Sequence, residues 1–350
     1  MLQGLDSFFQ FRCGFSAHDL LQLCLNKKNF TFFYTVSFLN SANFSFFFKG
    51  FPGLILNFAN VMTIREAKML KIVLILFAAL VLLYALAALF GPRVFQNSFR
   101  EEAAGMLEGT KKGKSEIITK EKIQHLPAPV QRYLEYTGML GKEKIHTLRL
   151  KQGGFFRLKP DQGWMPITAE QYFNADRVEF SWLGRVNMGS LLPVQAKDSF
   201  LGGRGNLNVK LLGLVPVVDA RGPKIDQGEI LRFLGETVWF PSAFLSDTIS
   251  WETTDDRSAK AAIRFQGITG SAVFHFNEKG EVTLIRAKRY MEKEGKFSMQ
   301  DWEIRLEDYR VFDGLKVPAA AKVMWKLKEG DFIYDRLEIN EIEYNVGEVY

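Results

Sequence analysis

From Ile145 onward, apolar and polar residues alternate with a period of two, the pattern of strands with one buried face. The clearest run is Leu315, Val317, Ala319, Ala321, Val323, Trp325 and Leu327, interleaved with Lys316, Lys322 and Lys326. Asp313-Gly314 directly before it is a type I′ hairpin signal, because both central residues of that turn need positive φ. Turn signals at 277–280, 293–295 and 329–330 separate strands expected over 261–265, 272–276, 282–290, 299–309, 315–327 and 332–344. Pro318 lacks an N–H and therefore predicts an edge or a bulge in its strand. The stretch 177–220 is again strand-like, punctuated by Gly202-Gly203, Gly205 and Gly213.

One helix precedes this pattern and a second interrupts it. Pro129 suits a first helical turn, Val130, Tyr133 and Leu134 share a face, and Gly138 supplies a left-handed stop, which predicts a helix over 128–137. Asp226 and Glu229 stand at capping-box spacing before an apolar face of Ile230, Phe233 and Leu234, and Pro241 ends that helix. The economical arrangement is a mainly β domain with a few helices. Its long antiparallel sheet is curved, or a half-barrel, with helices covering the concave side.

One further segment has no period at all. Residues 72–90, IVLILFAALVLLYALAALF, carry no charge, and nineteen residues rising about 1.5 Å each roughly span a hydrocarbon core of about 30 Å. Arg65, Lys68 and Lys71 precede the run with one acid, Glu66; Gly91 and Pro92 close it. The basic excess predicts a single-pass anchor, N-inside, with the C-terminal domain extracytoplasmic. Ala85-Leu86-Ala87 also fits a signal-peptidase site, so secretion after cleavage is the rival expectation.

Residues 1–60 hold 14 of the 32 Phe, six charged residues and no Glu, with neither an uninterrupted span nor an amphipathic period. Such a stretch is expected from translation of an AT-rich upstream region, with the native start at Met62 or Met69. The expected organisation is therefore an upstream extension over 1–61, an anchor over 62–96, a stalk over 97–119 with a turn or two of helix near 99–107, and a β-rich domain over 120–350.

Charge excludes one class of partner. Beyond residue 91 the chain carries 38 basic and 36 acidic residues, so the basic balance comes largely from the N-terminal segment and no stripe suited to nucleic acid remains. Lys111, Lys112 and Lys114 read as a solvated linker, or as a small contact with anionic lipid. Both cysteines, Cys13 and Cys24, precede the anchor, so the domain has to be stable without disulfides, and it is long enough to build a core.

The usual catalytic motifs fail on inspection. GTKKGKS (109–115) has Glu108 where a phosphate loop needs its first glycine; Gly203-Arg204-Gly205 has Asn208 in place of a third glycine. There is no G-x-S-x-G elbow. The histidines His18, His125, His146 and His275 show no i, i+4 pairing, so no metal or cofactor is predicted. Glu252, Asp255 and Asp256 read as turn residues, with a cation site as the alternative. What remains is a cluster on the second helix: Arg232, Glu236, Trp239, Phe240 and Pro241. Arg232 and Glu236 are four apart and predict an ion pair; alternatively Glu236, buried beside Trp239, is a general acid or base. Trp164, Trp182, Trp239, Trp251, Trp302 and Trp325 either fill the core or line an apolar cavity.

LPAPVQRYLEYTG (126–138), residues 164–172, ILRFLGETVWFPSAFL (230–245), AKRY (287–290) and EIEYN (341–345) resemble a bacterial domain-of-unknown-function family of membrane-anchored or exported proteins. The resemblance covers nearly all of 120–345, implies no activity, and has no counterpart of residues 1–60. The inferred architecture is also similar to the half-barrels of periplasmic lipoprotein carriers and lipid-binding lipoproteins. The leading expectation is a membrane-tethered, noncatalytic extracytoplasmic domain that binds a lipid or other apolar ligand in the concavity. Its candidate contacts are Trp164, Trp182, Arg232, Glu236, Trp239, Phe240, Arg289 and Trp325. The rivals are an envelope enzyme using Glu236 with Arg232 or Arg289, and a structural or sensory ectodomain that binds a protein partner.

Overall fold

The computed structural model describes residues 64–108, 116–186, 193–293 and 295–350. The Phe-rich N-terminus, the start at Met62, the Lys111, Lys112 and Lys114 cluster and the GTKKGKS segment lie outside these residues. Four helices are described: α1 (Ile64–Leu107), α2 (Lys120–Ile123), α3 (Ala128–Tyr136) and α4 (Pro223–Glu236). The strands are β1 (Thr147–Phe156), β2 (Met165–Asn174), β3 (Glu179–Val186), β4 (Val194–Leu201), β5 (Arg204–Leu211), β6 (Val215–Arg221) and β7 (Ile249–Asp255). They continue as β8 (Ser258–Phe265), β9 (Ile268–Phe276), β10 (Val282–Lys293), β11 (Lys296–Phe312), β12 (Leu315–Leu327) and β13 (Gly330–Tyr344).

All thirteen strands form one antiparallel sheet, curved into a half-barrel. Each strand pairs with its neighbours in sequence, with two exceptions: β1 pairs with β13 in the middle, and β6 and β7 are the two edges. The chain from β6 to β7 therefore has to cross a face of the sheet. It does so as α4 followed by two 3-10 turns, Thr237–Trp239 and Pro241–Leu245.

This crossing fills most of the concave side. Phe173 of β2 meets Phe240 at 5.0 Å between ring centroids, and Phe240 meets Phe233 of α4 at 5.7 Å. Tyr133 of α3 donates to the Val238 carbonyl at 2.7 Å, which satisfies the one polar atom on a fully buried ring. Gly270 of β9 lets α4 sit close, because a Cβ there would lie 2.8 Å from Leu231 Cδ2. The expected capping box is not formed. α4 begins three residues before Asp226, at Pro223, and the Asp226 carboxylate instead accepts the Gly205 N–H at 2.7 Å, tying the helix to β5.

The expected strands are all present, most of them longer than periodicity indicated. β7 is an addition: Glu252 lies within it, and only Asp256 falls in the turn that follows. Asp313 and Gly314 have φ of 46° and 77°, as a type I′ turn requires. Pro318 sits in an interior strand, but β12 pairs with β13 only from Ala320 onward, so its missing N–H falls where that ladder has not begun.

Among the described residues, 64–87 and those from Ala88 onward belong to separate compact units. The first carries the apolar part of α1, with a window of mean hydropathy 3.0, none of it buried: among the described residues, one helix is long and apolar enough to cross a membrane. In the second unit, α1 does not stop at Gly91-Pro92, and the stretch expected as a stalk is helical to Leu107. The reason is burial. Phe95, Phe99, Ala103, Met106 and Leu107 recur at helical spacing and pack with Tyr172 and Leu183 on the sheet face opposite α4. Glu170 of β2 bridges Arg100 of the helix at 3.1 Å and Arg185 of β3 at 2.8 Å. Burial acts to raise the Glu170 carboxyl, but Arg185 and Arg100 outweigh it and hold the carboxyl below its usual range.

Phe99 has no exposed surface, whereas Val94 is 59% exposed. Phe99→Ala is expected to cost about 3–5 kcal/mol of stability, and Val94→Ala less than about 0.5 kcal/mol. Urea unfolding of the full chain in detergent measures both; equal, small effects would mean that the helix does not dock on the sheet.

Candidate functional site

Within the concavity, inward positions that should be apolar carry a line of polar groups. Gln152 follows Leu148 and Leu150 on β1, Gln171 lies between Ala169 and Phe173 on β2, and Asp198 lies between Ala196 and Phe200 on β4. All three are buried. Polar groups in that setting need partners, since an unmade hydrogen bond there costs about 1–3 kcal/mol.

They find them in one continuous chain. Trp182 Nε1 donates to Gln152 Oε1 at 2.9 Å, and Gln152 Nε2 donates to Gln171 Oε1 at 3.0 Å. Gln171 Nε2 then donates to Glu236 Oε2 at 2.8 Å, and Arg232 Nε donates to Glu236 Oε1 at 2.9 Å. Arg232 Nη1 completes the chain on Asp198 Oδ2 at 2.7 Å. The guanidinium also lies 5.0 Å from the ring centroids of both Phe180 and Trp182. Trp182 holds this position because its indole lies along the strand over Gly184, where a Cβ would come within 2.2 Å of the ring.

Beside this chain is a cavity of about 130 Å³ with mainly apolar walls, among them Trp182, Val209, Trp239, Trp302, Ile304 and Val323. Gln152, Asp198, Arg232, Glu236 and Arg289 supply its polar edge. A second hollow of about 80 Å³, bounded by Lys224, Tyr290 and Phe297, shares Phe156, Leu207, Arg289 and Tyr334 with the first. Arg289 thus stands between the two. It is paired with Glu229 at 3.2 Å and laid over Trp302 at 5.0 Å, while Trp302 Nε1 donates to Tyr334 Oη at 2.9 Å.

The structure brings together four of the eight residues expected from sequence: Trp182, Arg232, Glu236 and Trp239 line the cavity, and Arg289 makes a fifth at its border. The other three are elsewhere. Phe240 is fully buried in the aromatic core with Phe173 and Phe233. Trp325 stacks on Tyr334 and borders only the smaller hollow. Trp164 lies in the β1–β2 connection between the guanidinium groups of Arg157 and Arg336, at 4.6 and 4.2 Å. Arg232 makes the expected i, i+4 pair with Glu236, whereas the hydrogen-bond partner of Arg289 is Glu229. Asp198, Gln171 and Gln152 were not anticipated; their signal is the polar residue at an inward step of an otherwise apolar alternation.

Arg232 faces Asp198 and Glu236, and Arg289 faces Glu229, all of them largely shielded from solvent. Burial pushes the Glu236 carboxyl above its usual range, although Arg232 and Gln171 both act to lower it. Arg232 moves the same way for the opposite reason: burial disfavours its charge, but Glu236 and Asp198 more than restore it. Asp198 Oδ1 is buried and has no hydrogen-bond partner.

These residues fall inside one recognisable unit of sequence. The family of unknown function DUF6544 matches residues 116–337, well over half of the chain. The chain belongs to this family. Comparison with curated proteins gives no match. Among solved structures, the chain is similar to a LolA superfamily protein from Nitrosomonas europaea, with 11% identity, a TM-score of 0.36, and coverage of 62% of this chain and 94% of that one. It is also similar to a domain described as an outer membrane lipoprotein-sorting protein from Vibrio parahaemolyticus, with 7% identity, TM-score 0.34, and coverage of 58% and 87%. A third likeness is to a DUF1329 family protein from Desulfovibrio piger, with 11% identity, TM-score 0.33, and coverage of 63% and 94%.

A raised Glu236 carboxyl has a defined pH signature. Above pH 4.5, its ordinary value, the unfolded chain releases this proton first, so its contribution to stability is full below that pH and is lost as pH rises through the folded value. Glu236→Gln removes the contribution. The denaturation midpoint of the variant is expected to fall less steeply with rising pH above 4.5 than that of the wild type, and superimposable slopes would contradict the assignment.

Proposed function

We propose that this chain is a membrane-tethered binding domain whose ligand places an apolar group in the cavity between α4 and the sheet. The observation that carries the reading is the cavity itself: an apolar space flanked by a fixed polar chain. A volume of about 130 Å³ is comparable with cavities of about 150 Å³ that accept benzene. The fitting group is therefore a ring or the end of an alkyl chain, with the remainder of a longer ligand leaving past Arg289 through the second hollow. A whole diacyl lipid exceeds that volume.

The polar edge narrows the ligand further. The carboxyl groups of Asp198 and Glu236 both stand on that edge. A hydroxyl or amine near the apolar group suits that edge, whereas a phosphate placed there meets like charge. Both Glu236 oxygens are already engaged, by Arg232 and Gln171, which favours a positioning role for Glu236 over proton transfer. The tether is the 72–90 run, and Arg65, Lys68 and Lys71 before it support an N-inside, C-outside topology with the domain extracytoplasmic.

Ala321, 5% exposed, lines the cavity, and a larger side chain there occupies the ligand's space. Titration of the full chain in detergent with a fluorescent long-chain alcohol is expected to saturate, and Ala321→Trp to weaken the apparent affinity at least about tenfold, about 1.4 kcal/mol. Arg232→Lys, which removes the forked contact to Asp198 and Glu236 but not the charge, is expected to weaken binding as well. Binding that is equal in wild type and Ala321→Trp would place the ligand elsewhere and end the proposal.

A further inference from the structure

The β5–β6 hairpin is unusual for an exposed turn. Leu211-Leu212-Gly213-Leu214-Val215-Pro216 holds no polar side chain, and Leu214 and Val215 are 48% and 52% exposed. An exposed apolar tip of this kind marks a contact surface. Its position says which.

The tip lies against α1 at the end of the apolar run. A Cβ on Gly91 would lie 2.0 Å from the Leu212 carbonyl oxygen and 2.7 Å from Leu214 Cγ; one on Gly213 would lie 2.3 Å from the Gly91 oxygen. Helix and hairpin thus meet backbone to backbone at two glycines, and Gly213 also has φ +65°, a conformation that glycine adopts without strain. Four residues further along α1, Phe95 is buried and lies 4.4 Å under Lys210 of β5. The hairpin and the helix therefore run side by side, with Leu214 level with the last turn of the apolar run, which ends at Phe90. Arg93, Val94 and Lys210 follow within the next turn. Apolar groups at the level of the run's end, with cations one turn beyond, match the change from acyl chains to headgroups at a bilayer surface.

We propose that the tip formed by Leu214, Val215 and Pro216 inserts into the interface of the leaflet that faces the domain, so that the domain is seated on the membrane at two points. This inference rests on the reading of residues 72–90 as a membrane span. It gives the docking surface a single occupant, the lipid interface. In an antiparallel sheet of this order, the β1–β2, β5–β6, β10–β11 and β12–β13 turns lie at one end. Phe156, Tyr290 and Phe297, which bound the smaller hollow, lie near the turns of that same end.

The test uses the full chain with Cys13 and Cys24 replaced by Ser and one cysteine introduced at Leu214, labelled with an environment-sensitive fluorophore, in vesicles of phosphatidylethanolamine and phosphatidylglycerol. Parallel labels at Leu80, within the run, and at Lys279, in the β9–β10 turn at the opposite end, calibrate buried and aqueous signals. The Leu214 label is expected to emit to the blue of the Lys279 label, to be quenched by lipids bearing a nitroxide near the headgroup, and to be protected from iodide. If Leu80 is quenched by lipid but Leu214 matches Lys279, the hairpin proposal is overturned and the anchor stands. If both Leu80 and Leu214 match Lys279, anchor and hairpin proposals fall together. A label at Val215 repeats the measurement one residue along, and an unchanged melting temperature confirms that neither label disturbs the fold.

Discussion

The constraint on which the rest depends is that β6 and β7 are consecutive in the chain but stand at opposite edges of a thirteen-stranded sheet. A connection between them has to traverse a whole face. An extended chain there would leave backbone groups unpaired in an apolar setting, so the crossing is helical, with its own hydrogen bonds satisfied internally. Curvature of the sheet then follows from burial: strands on both sides of the crossing close on Ile230, Phe233 and Leu234, which have almost no exposed surface. The same connection that completes the core determines what is left of the concavity.

A helix with both an apolar and a charged face cannot cross an enclosed space without carrying charge into it. Arg232 and Glu236 sit one turn apart on α4, and the sheet answers with Asp198, Gln171 and Gln152. A broken buried pair leaves an uncompensated charge, which costs about 3–5 kcal/mol, so the network is held as a unit. Replacement of such a network by well-packed apolar residues is often neutral or stabilising, so the network itself is weak evidence of stability. The network leaves a fixed polar edge beside the apolar space.

Much of the fold was legible in the sequence because period two dominates: the β12 run and the Asp313-Gly314 turn identify their elements from local chemistry alone. The ends of elements were less legible where tertiary contacts override local signals. Gly91-Pro92 reads as a stop, yet α1 continues because Phe95, Phe99 and Met106 gain a surface to cover, and that surface is made by strands some eighty residues away. Asp226 reads as a cap, yet its carboxylate is used by Gly205 of β5. For the site, Arg232 and Glu236 were visible as an i, i+4 pair, but their partners on β1, β2 and β4 come from distant sequence and were assembled only by the register of the sheet. Trp164 and Trp325 show the converse: composition marks them as aromatic, while position puts them among guanidinium groups and on Tyr334 instead of in the cavity.

The central claim is that the space beside Arg232 is a binding site and not a packing defect. The most direct measurement is native mass spectrometry of the full chain, expressed in bacterial cells and purified in mild detergent, alongside an Ala321→Trp preparation. The account predicts a single non-covalent adduct, carrying an alkyl chain or ring with a hydroxyl or amine, on the wild type and its loss from the variant. Wild-type chain that is repeatedly free of adduct, or an adduct retained in full by Ala321→Trp, would contradict it.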